Sequence, residues 1–221
     1  MSEIDKELSA QGQPNDFRIV VLASGRGSNL NALMQRQRPD NYQIAAVLSD
    51  KPQAPALALA RAAGIPAMAI DWPDRIRGEA DLRRMLRQLQ PDLIVLAGFM
   101  RILSEPTVTP WIGRMINIHP SLLPLYPGLH THQRALADNR KEHGASVHFV
   151  TPVLDGGPII SQTRLHIRPD DTAESLAERL LPQEHRLLAT TVAWLRSGAV
   201  QLTDSQVMYN GTPLQKPLVV P

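Results

Sequence analysis

An asparagine and a histidine stand two residues apart in Ile116-Asn117-Ile118-His119. In an extended segment that spacing turns both side chains to one face. An amide donor beside an imidazole suits an oxygen that gains charge and a proton that must move. The segment that follows, Pro120 to Gly128, is braced by Pro120, Pro124 and Pro127 and reads as a stiff loop. The same two side chains would equally serve to hold that loop by its backbone. Asp155, in Leu154-Asp155-Gly156-Gly157-Pro158, is open to two readings as well. It is an ordinary turn residue, or a loop carboxylate that orients and charges a histidine.

A second candidate is Ser24-Gly25-Arg26-Gly27-Ser28-Asn29, between a strand pattern and a helix pattern. Glycines let a backbone approach a ligand closely, and a helix N-terminus offers N–H groups to an anion such as phosphate. The Gly-Lys-Ser/Thr of a nucleotide P-loop is missing, and Leu30 replaces the third glycine of the dinucleotide fingerprint. Asp50 still suits the ribose-binding acid of that fingerprint. The plain alternative is a tight turn with Ser28 or Asn29 as N-cap. His130 and His132, with a carboxylate, would make at most an atypical zinc site, so no metal is expected. His148, inside a strand pattern, reads as a packed core histidine. The arginines between 75 and 87 read as a solvated helix face, with one of them available to an anionic ligand.

These residues need elements to position them. Phe17–Ala23, Gln43–Leu48, Ala67–Ile70, Asp92–Ala97 and Met115–Ile118 read as short buried strands. Helical patterns at about 29–37, 54–63 and 76–90 alternate with them. That alternation predicts an α/β fold with a mostly parallel twisted sheet and helices on both faces. Ligands of such sheets bind beyond the carboxyl ends of the strands. The stretches 145–151 and 158–167, joined by a Gly-rich turn, read as an antiparallel extension in the C-terminal half. A helix over 172–195 is expected to be interrupted or offset near Pro182. The domain division is a disordered leader over 1–16, one catalytic domain over 17–205 and a C-terminal tail over 206–221.

Composition narrows the class. The 221 residues include no cysteine, which excludes disulfide frameworks, thiolate metal sites and a cysteine nucleophile. Lys plus Arg is 23 against 21 for Asp plus Glu, so nothing points to nucleic acid as a partner. The longest strongly apolar stretch, Leu93–Met100, is too short to span a bilayer. A cytoplasmic, soluble, single-domain protein is the expectation.

Taken together, SGRGSN at 24–29, LAGFMRIL at 96–103, INIHPSLLP at 116–124, YPGLHTH at 126–132, HGASVHFV at 143–150, LDGGPII at 154–160 and QEH at 183–185 resemble the glycinamide ribonucleotide formyltransferase family. The resemblance is collinear over about residues 17–200. NIHPSLLP is shared with the wider set of formyltetrahydrofolate-using enzymes, and the GRGSN loop and PGLHTH narrow it. The resemblance implies formyl transfer from 10-formyltetrahydrofolate to the amine of phosphoribosylglycinamide, in purine synthesis, without a metal. It implies a catalytic triad of Asn117, His119 and Asp155. Gly27, Ser28 and Asn29 would hold the ribonucleotide phosphate, with Glu184 a further contact to that substrate. Met100, Arg101, Ile102 and Leu103 would line the folate site, as would Asn117 and the stretch Thr151, Pro152, Val153, Leu154 and Asp155. Arg75 aligns with a folate-contacting arginine. Leu125 departs from the family, which commonly has lysine there, and so do Leu181 and Pro182.

On that reading Asn117 and a protonated His119 donate to the oxygen of a tetrahedral intermediate. Asp155 favours the charged imidazole and relays a proton. Three rivals are a formyltetrahydrofolate hydrolase, another formyltetrahydrofolate-dependent formyltransferase such as that of methionyl-tRNA, and a nucleotide-binding regulatory module. The hydrolases carry an additional N-terminal domain and the tRNA enzymes a C-terminal one, for which 16 and 21 residues are too few. A regulatory module leaves Asn117, His119 and Asp155 unexplained.

Overall fold

The computed structural model describes residues 17–221, and the expected leader lies outside them. The chain divides into two compact units, one ending at Met115 and the other starting at Ile116.

In the first unit, β1 (Phe17–Leu22), β2 (Tyr42–Ser49), β3 (Ala67–Ala69) and β4 (Leu93–Leu96) lie in the order β4-β1-β2-β3, all parallel. Their residues are apolar almost throughout rather than alternating, as strands covered on both faces must be; Ile19 to Leu22, Ile94 and Val95 are fully buried. Between them run α1 (Ser28–Asp40), α2 (Pro55–Ala62) and α3 (Arg75–Leu89), followed by the short α4 (Glu105–Val108). On α3 the buried positions include Leu82, Met85, Leu86 and Leu89, the stripe its spacing predicts. The Ala23 N–H bonds Leu48 O at 3.0 Å and the Ala97 N–H bonds Leu22 O at 2.9 Å. These bonds carry the pairing past the strand ends, so the loops after β1, β2 and β4 leave the sheet together.

The second unit opens with β5 (Met115–His119), then α5 (Thr131–Ala137), β6 (Glu142–Phe149), β7 (Ile159–His166) and α6 (Ala173–Arg196). Strands β5, β6 and β7 are antiparallel, the extension the sequence predicts. Strand β6 begins three residues earlier than expected, because its glycine is a packing residue rather than a break. A Cβ on Gly144 would lie 2.0 Å from Thr163 O and 2.7 Å from Leu122 Cδ2. Helix α6 runs without a break through Pro182, which corrects the expected interruption. Its buried stripe of Leu176, Leu180, Leu187, Leu188 and Val192 spans both sides of the proline and packs against β6 and β7, outweighing one lost backbone bond. Residues after 199 form β8 (Val200–Thr203), β9 (Gln206–Tyr209) and β10 (Thr212–Pro213), a separate antiparallel sheet. The stretch expected as a tail also supplies β11 (Leu218–Val219), which pairs in parallel with β7 at Ser161 and Gln162. The fold is thus α/β, with parallel strands joined through helices and antiparallel strands in the C-terminal half. No helix among the described residues is long and apolar enough to cross a membrane.

Candidate active site

Strand β5 places Asn117 and His119 on one face, and both meet Asp155. The His119 Nε2–H donates to Tyr126 O at 2.9 Å, because a carbonyl can only accept. Its Nδ1 then lies 3.5 Å from Asp155 Oδ2. That same oxygen accepts the Gly128 N–H at 2.8 Å. The proline-braced loop therefore holds the histidine with one main-chain atom and the carboxylate with another. Asp155 has φ +48, a left-handed conformation that aspartate tolerates better than most residues.

A second histidine completes the cluster. His148 on β6 stands opposite Asn117 in the β5–β6 register. Its Nδ1–H donates to Phe149 O at 2.9 Å, so Nε2 is bare and accepts Asn117 Nδ2 at 3.2 Å. The other Asn117 hydrogen makes a long contact of 3.5 Å to Asp155 Oδ1. With two acceptors on that side, the amide nitrogen must face them; a flipped amide would set two oxygens together. His148 is indeed packed and buried, as its sequence context predicts, yet it also orients the amide. The signal that finds it is the cross-strand register, which spacing along one strand does not contain.

Charge follows from burial and neighbours. Burial works against the Asp155 carboxylate, but the hydrogen bonds and charges around it, the Gly128 N–H and His119 among them, outweigh it and hold its pKa below the usual value. Burial pushes His119 below its ordinary value, against the Tyr126 carbonyl and Asp155, which favour the charged ring. Burial therefore works against the protonated His119 that the reading of the residues expects, while Asp155 works for it.

The 24–29 loop has a different cap from the one expected. Gly27, at φ +82, is the N-cap of α1, and Ser28 and Asn29 are its first helical residues. A Cβ there would lie 3.0 Å from Ala56 Cα, so the position demands glycine twice over. In the same unit the Met100 N–H donates to Ser24 Oγ at 2.9 Å, which ties the 100–103 segment to the 24–29 loop. Arg101 pairs with Asp50 at 2.6 Å, Met100 and Ile102 are exposed, and Leu103 is buried. Asp50 is thus occupied by its own chain, and the dinucleotide reading loses its ribose-binding acid. Arg75, half exposed at the start of α3, donates to Glu79 at 2.8 Å. Glu79 also accepts the Ser104 N–H at 3.0 Å, which links Arg75 to the end of the 100–103 segment. In the second unit Pro152, Val153 and Leu154 are exposed on the loop leading to Asp155, Thr151 is half-buried, and Glu184 lies half-buried on α6.

His132 does not pair with His130 in a metal cage; its Nδ1 lies 3.0 Å from His143 Nε2. Among the described residues no three His, Asp or Glu side chains cluster in a way that could hold a metal ion.

A half-buried amide within reach of a buried imidazole and a carboxylate, on an α/β frame, brings together the groups that acyl-type transfer uses. The formyl transferase family matches residues 17–192, and the chain belongs to that family. It is 41% identical over 203 residues to the phosphoribosylglycinamide formyltransferase of Escherichia coli, covering 90% of this chain and 96% of that one. A solved phosphoribosylglycinamide formyltransferase from Coxiella burnetii superposes with a TM-score of 0.89 at 44% identity, over 94% of this chain and all of the other. A formyltetrahydrofolate deformylase from Pseudomonas syringae is similar at 28% identity and a TM-score of 0.82, over 89% of this chain and 66% of its own.

Proposed function

We propose that this protein transfers the formyl group of 10-formyltetrahydrofolate to the amine of phosphoribosylglycinamide, a step of purine synthesis. The observation that carries the reading is the Asn117–His119–Asp155 cluster, largely shielded from solvent and with its carboxylate ionised, on a chain that aligns with such transferases along nearly its whole length. The amine nitrogen bonds to the formyl carbon, the bond from that carbon to folate N10 breaks, and one amine proton ends on N10. The formyl oxygen gains charge on the way. Asn117 Nδ2, whose contact to Asp155 is long, is the donor that can turn to that oxygen, while the His119 Nε2–H stays on Tyr126 O. Charge growing beside the ring raises its basicity, so His119 takes up a proton at Nδ1 against Asp155. Asp155 then stabilises the imidazolium and passes the proton on, directly or through water. Nothing in these steps calls for a metal.

Gly27, Ser28 and Asn29 are assigned to the ribonucleotide phosphate, where the first N–H groups of α1 favour an anion. Glu184 is assigned to the same substrate. Met100, Arg101, Ile102 and Leu103, the 151–155 loop and Arg75 are assigned to the folate; Met100 and Ile102 in the first unit, and Val153 and Leu154 in the second, each carry exposed apolar side chains of the kind a flat pterin packs on. A cytoplasmic monomer or homodimer goes with this reading. Formyl transfer, followed with and without phosphoribosylglycinamide, is the test. Tetrahydrofolate released only in its presence supports the transferase, and equal release without it would make water the acceptor and the protein a hydrolase.

A further inference from the structure

Asp50, just past the end of β2, is a buried carboxylate that the chemistry above leaves unused. Its oxygens are both engaged: Oδ1 accepts the Ser24 hydroxyl at 2.5 Å, and Oδ2 accepts Arg101 Nε at 2.6 Å. The Asp50 side chain is 1% exposed and that of Arg101 43%, so a dry anion meets a cation that reaches the surface. Ser24 passes the constraint on. Its hydroxyl has one proton, and giving it to Asp50 leaves the oxygen free to accept the Met100 N–H at 2.9 Å. The Ser24 N–H also donates to Gly98 O at 3.0 Å. On the far side the Arg101 guanidinium sits 5.5 Å over the Trp72 ring, which meets Phe99 edge-on at 6.0 Å. One carboxylate therefore fixes residues 98–101 through a hydroxyl on one arm and a guanidinium on the other.

We propose that Asp50 is a positioning residue for the folate: through Ser24 and Arg101 it holds the 98–101 segment in the conformation that receives the pterin side of the cosubstrate. This rests on the folate assignment of residues 100–103. Both arms need the carboxylate. An asparagine has the same shape but a single acceptor oxygen and no charge: with its amide nitrogen toward Arg101 two donors meet, and with it toward Ser24 the hydroxyl must turn its proton away and accept instead, while Arg101 keeps only a neutral partner. Either orientation weakens one arm.

The test combines amide hydrogen exchange with steady-state kinetics on the full-length protein, for Asp50→Asn, Ser24→Ala and Arg101→Gln. In folded Asp50→Asn the Met100 amide should exchange at least about ten-fold faster. KM for 10-formyltetrahydrofolate should rise about ten-fold, with kcat within about three-fold and a smaller change in KM for the ribonucleotide. Ser24→Ala removes the first arm without disturbing the Asp50–Arg101 pair, and should show the same exchange and the same split should Asp50→Asn fail to fold. Asp50→Asn combined with Ser24→Ala should be no worse than the worse of the two alone, since both act on Met100 through one chain of bonds. Unchanged Met100 exchange in folded Asp50→Asn or Ser24→Ala overturns the proposal. Faster exchange with an unmoved folate KM also overturns the positioning role, and Arg101→Gln then locates the fault. If Arg101→Gln raises the folate KM, the folate assignment stands and Asp50 alone is dismissed; if it does not, the assignment of residues 100–103 falls with it.

Discussion

Asp155 is where shape and charge can be separated most cleanly. Asparagine tolerates the same left-handed backbone at φ +48, and its side-chain oxygen can still accept the Gly128 N–H. Asp155→Asn therefore keeps the turn and removes the charge. Without that charge the His119 imidazolium loses its partner, and kcat should fall by roughly 10²-fold or more, the usual size of an acid–base contribution. Both KM values should move far less. Steady-state kinetics with a thermal melt decides it, and a folded variant keeping more than about a third of the turnover would remove Asp155 from the chemistry. Asn117 and His119 are legible in the sequence because a period of two needs no knowledge of the fold. Asp155 is legible only as a residue of either role, since it meets Asn117 across 38 positions. The resemblance, rather than spacing, selects it. The charge state of His119 is not legible at all, because burial sets it.

At the scale of elements, the parallel strands announce themselves by unbroken apolar runs, and α3 by its stripe. The misread boundaries all involve residues whose local preference gives way to packing: Gly144 within β6 and Pro182 within α6. Pro182 is exposed and interrupts the bonding of an otherwise regular helix, so its tolerance is a cost that α6 carries. Pro182→Ala should stabilise the protein by up to about 3 kcal/mol, which raises Tm by several degrees in a chain of this size. A melt at pH 7 checks it, and a lower Tm would mean that the ring itself packs usefully. The turn into α1 leads to the opposite expectation. Gly27→Val places a branched side chain at φ +82 and 3.0 Å from Ala56 Cα. KM for the ribonucleotide should rise at least ten-fold while the folate KM changes little. Equal rises in both would mean general displacement, and the phosphate assignment would lose its support.

For the molecule as a whole, composition excludes cysteine thiol chemistry and gives no sign of a polyanion partner, but it does not reveal the division at Met115, because no shift in residue types marks it. Nor does it show how stability responds to acid. His143 is buried and shares a single hydrogen bond with His132; burial and the second ring push it down to about 4 despite a bond to the Pro120 carbonyl. The unfolded chain binds that proton near pH 6.5 and the folded one only near pH 4. Between these values the unfolded state carries more protons, so acid favours unfolding. The contribution is fully present above pH 6.5 and is lost as pH falls toward 4, to a total of about 3 kcal/mol. His132 and His185, also lowered first by burial, act in the same direction. Chemical denaturation from pH 4 to 8 should show stability declining below about pH 6.5, more steeply in the wild type than in His143→Gln. Parallel curves for the two proteins would show that His143 ionises alike in both states.

The contacts from the proline-braced loop to His119 and Asp155 are made by a carbonyl oxygen and an amide hydrogen, Tyr126 O and Gly128 N–H. Genes encode side chains, and no codon change can delete a backbone carbonyl. Only a codon for proline at 128 would remove the amide hydrogen. The loop's contribution is therefore sheltered from most single-nucleotide changes, and what inheritance must preserve is the path of the chain rather than the identity of each residue along it. Leu125, exposed on this loop, is a position whose side chain such shelter leaves free to vary.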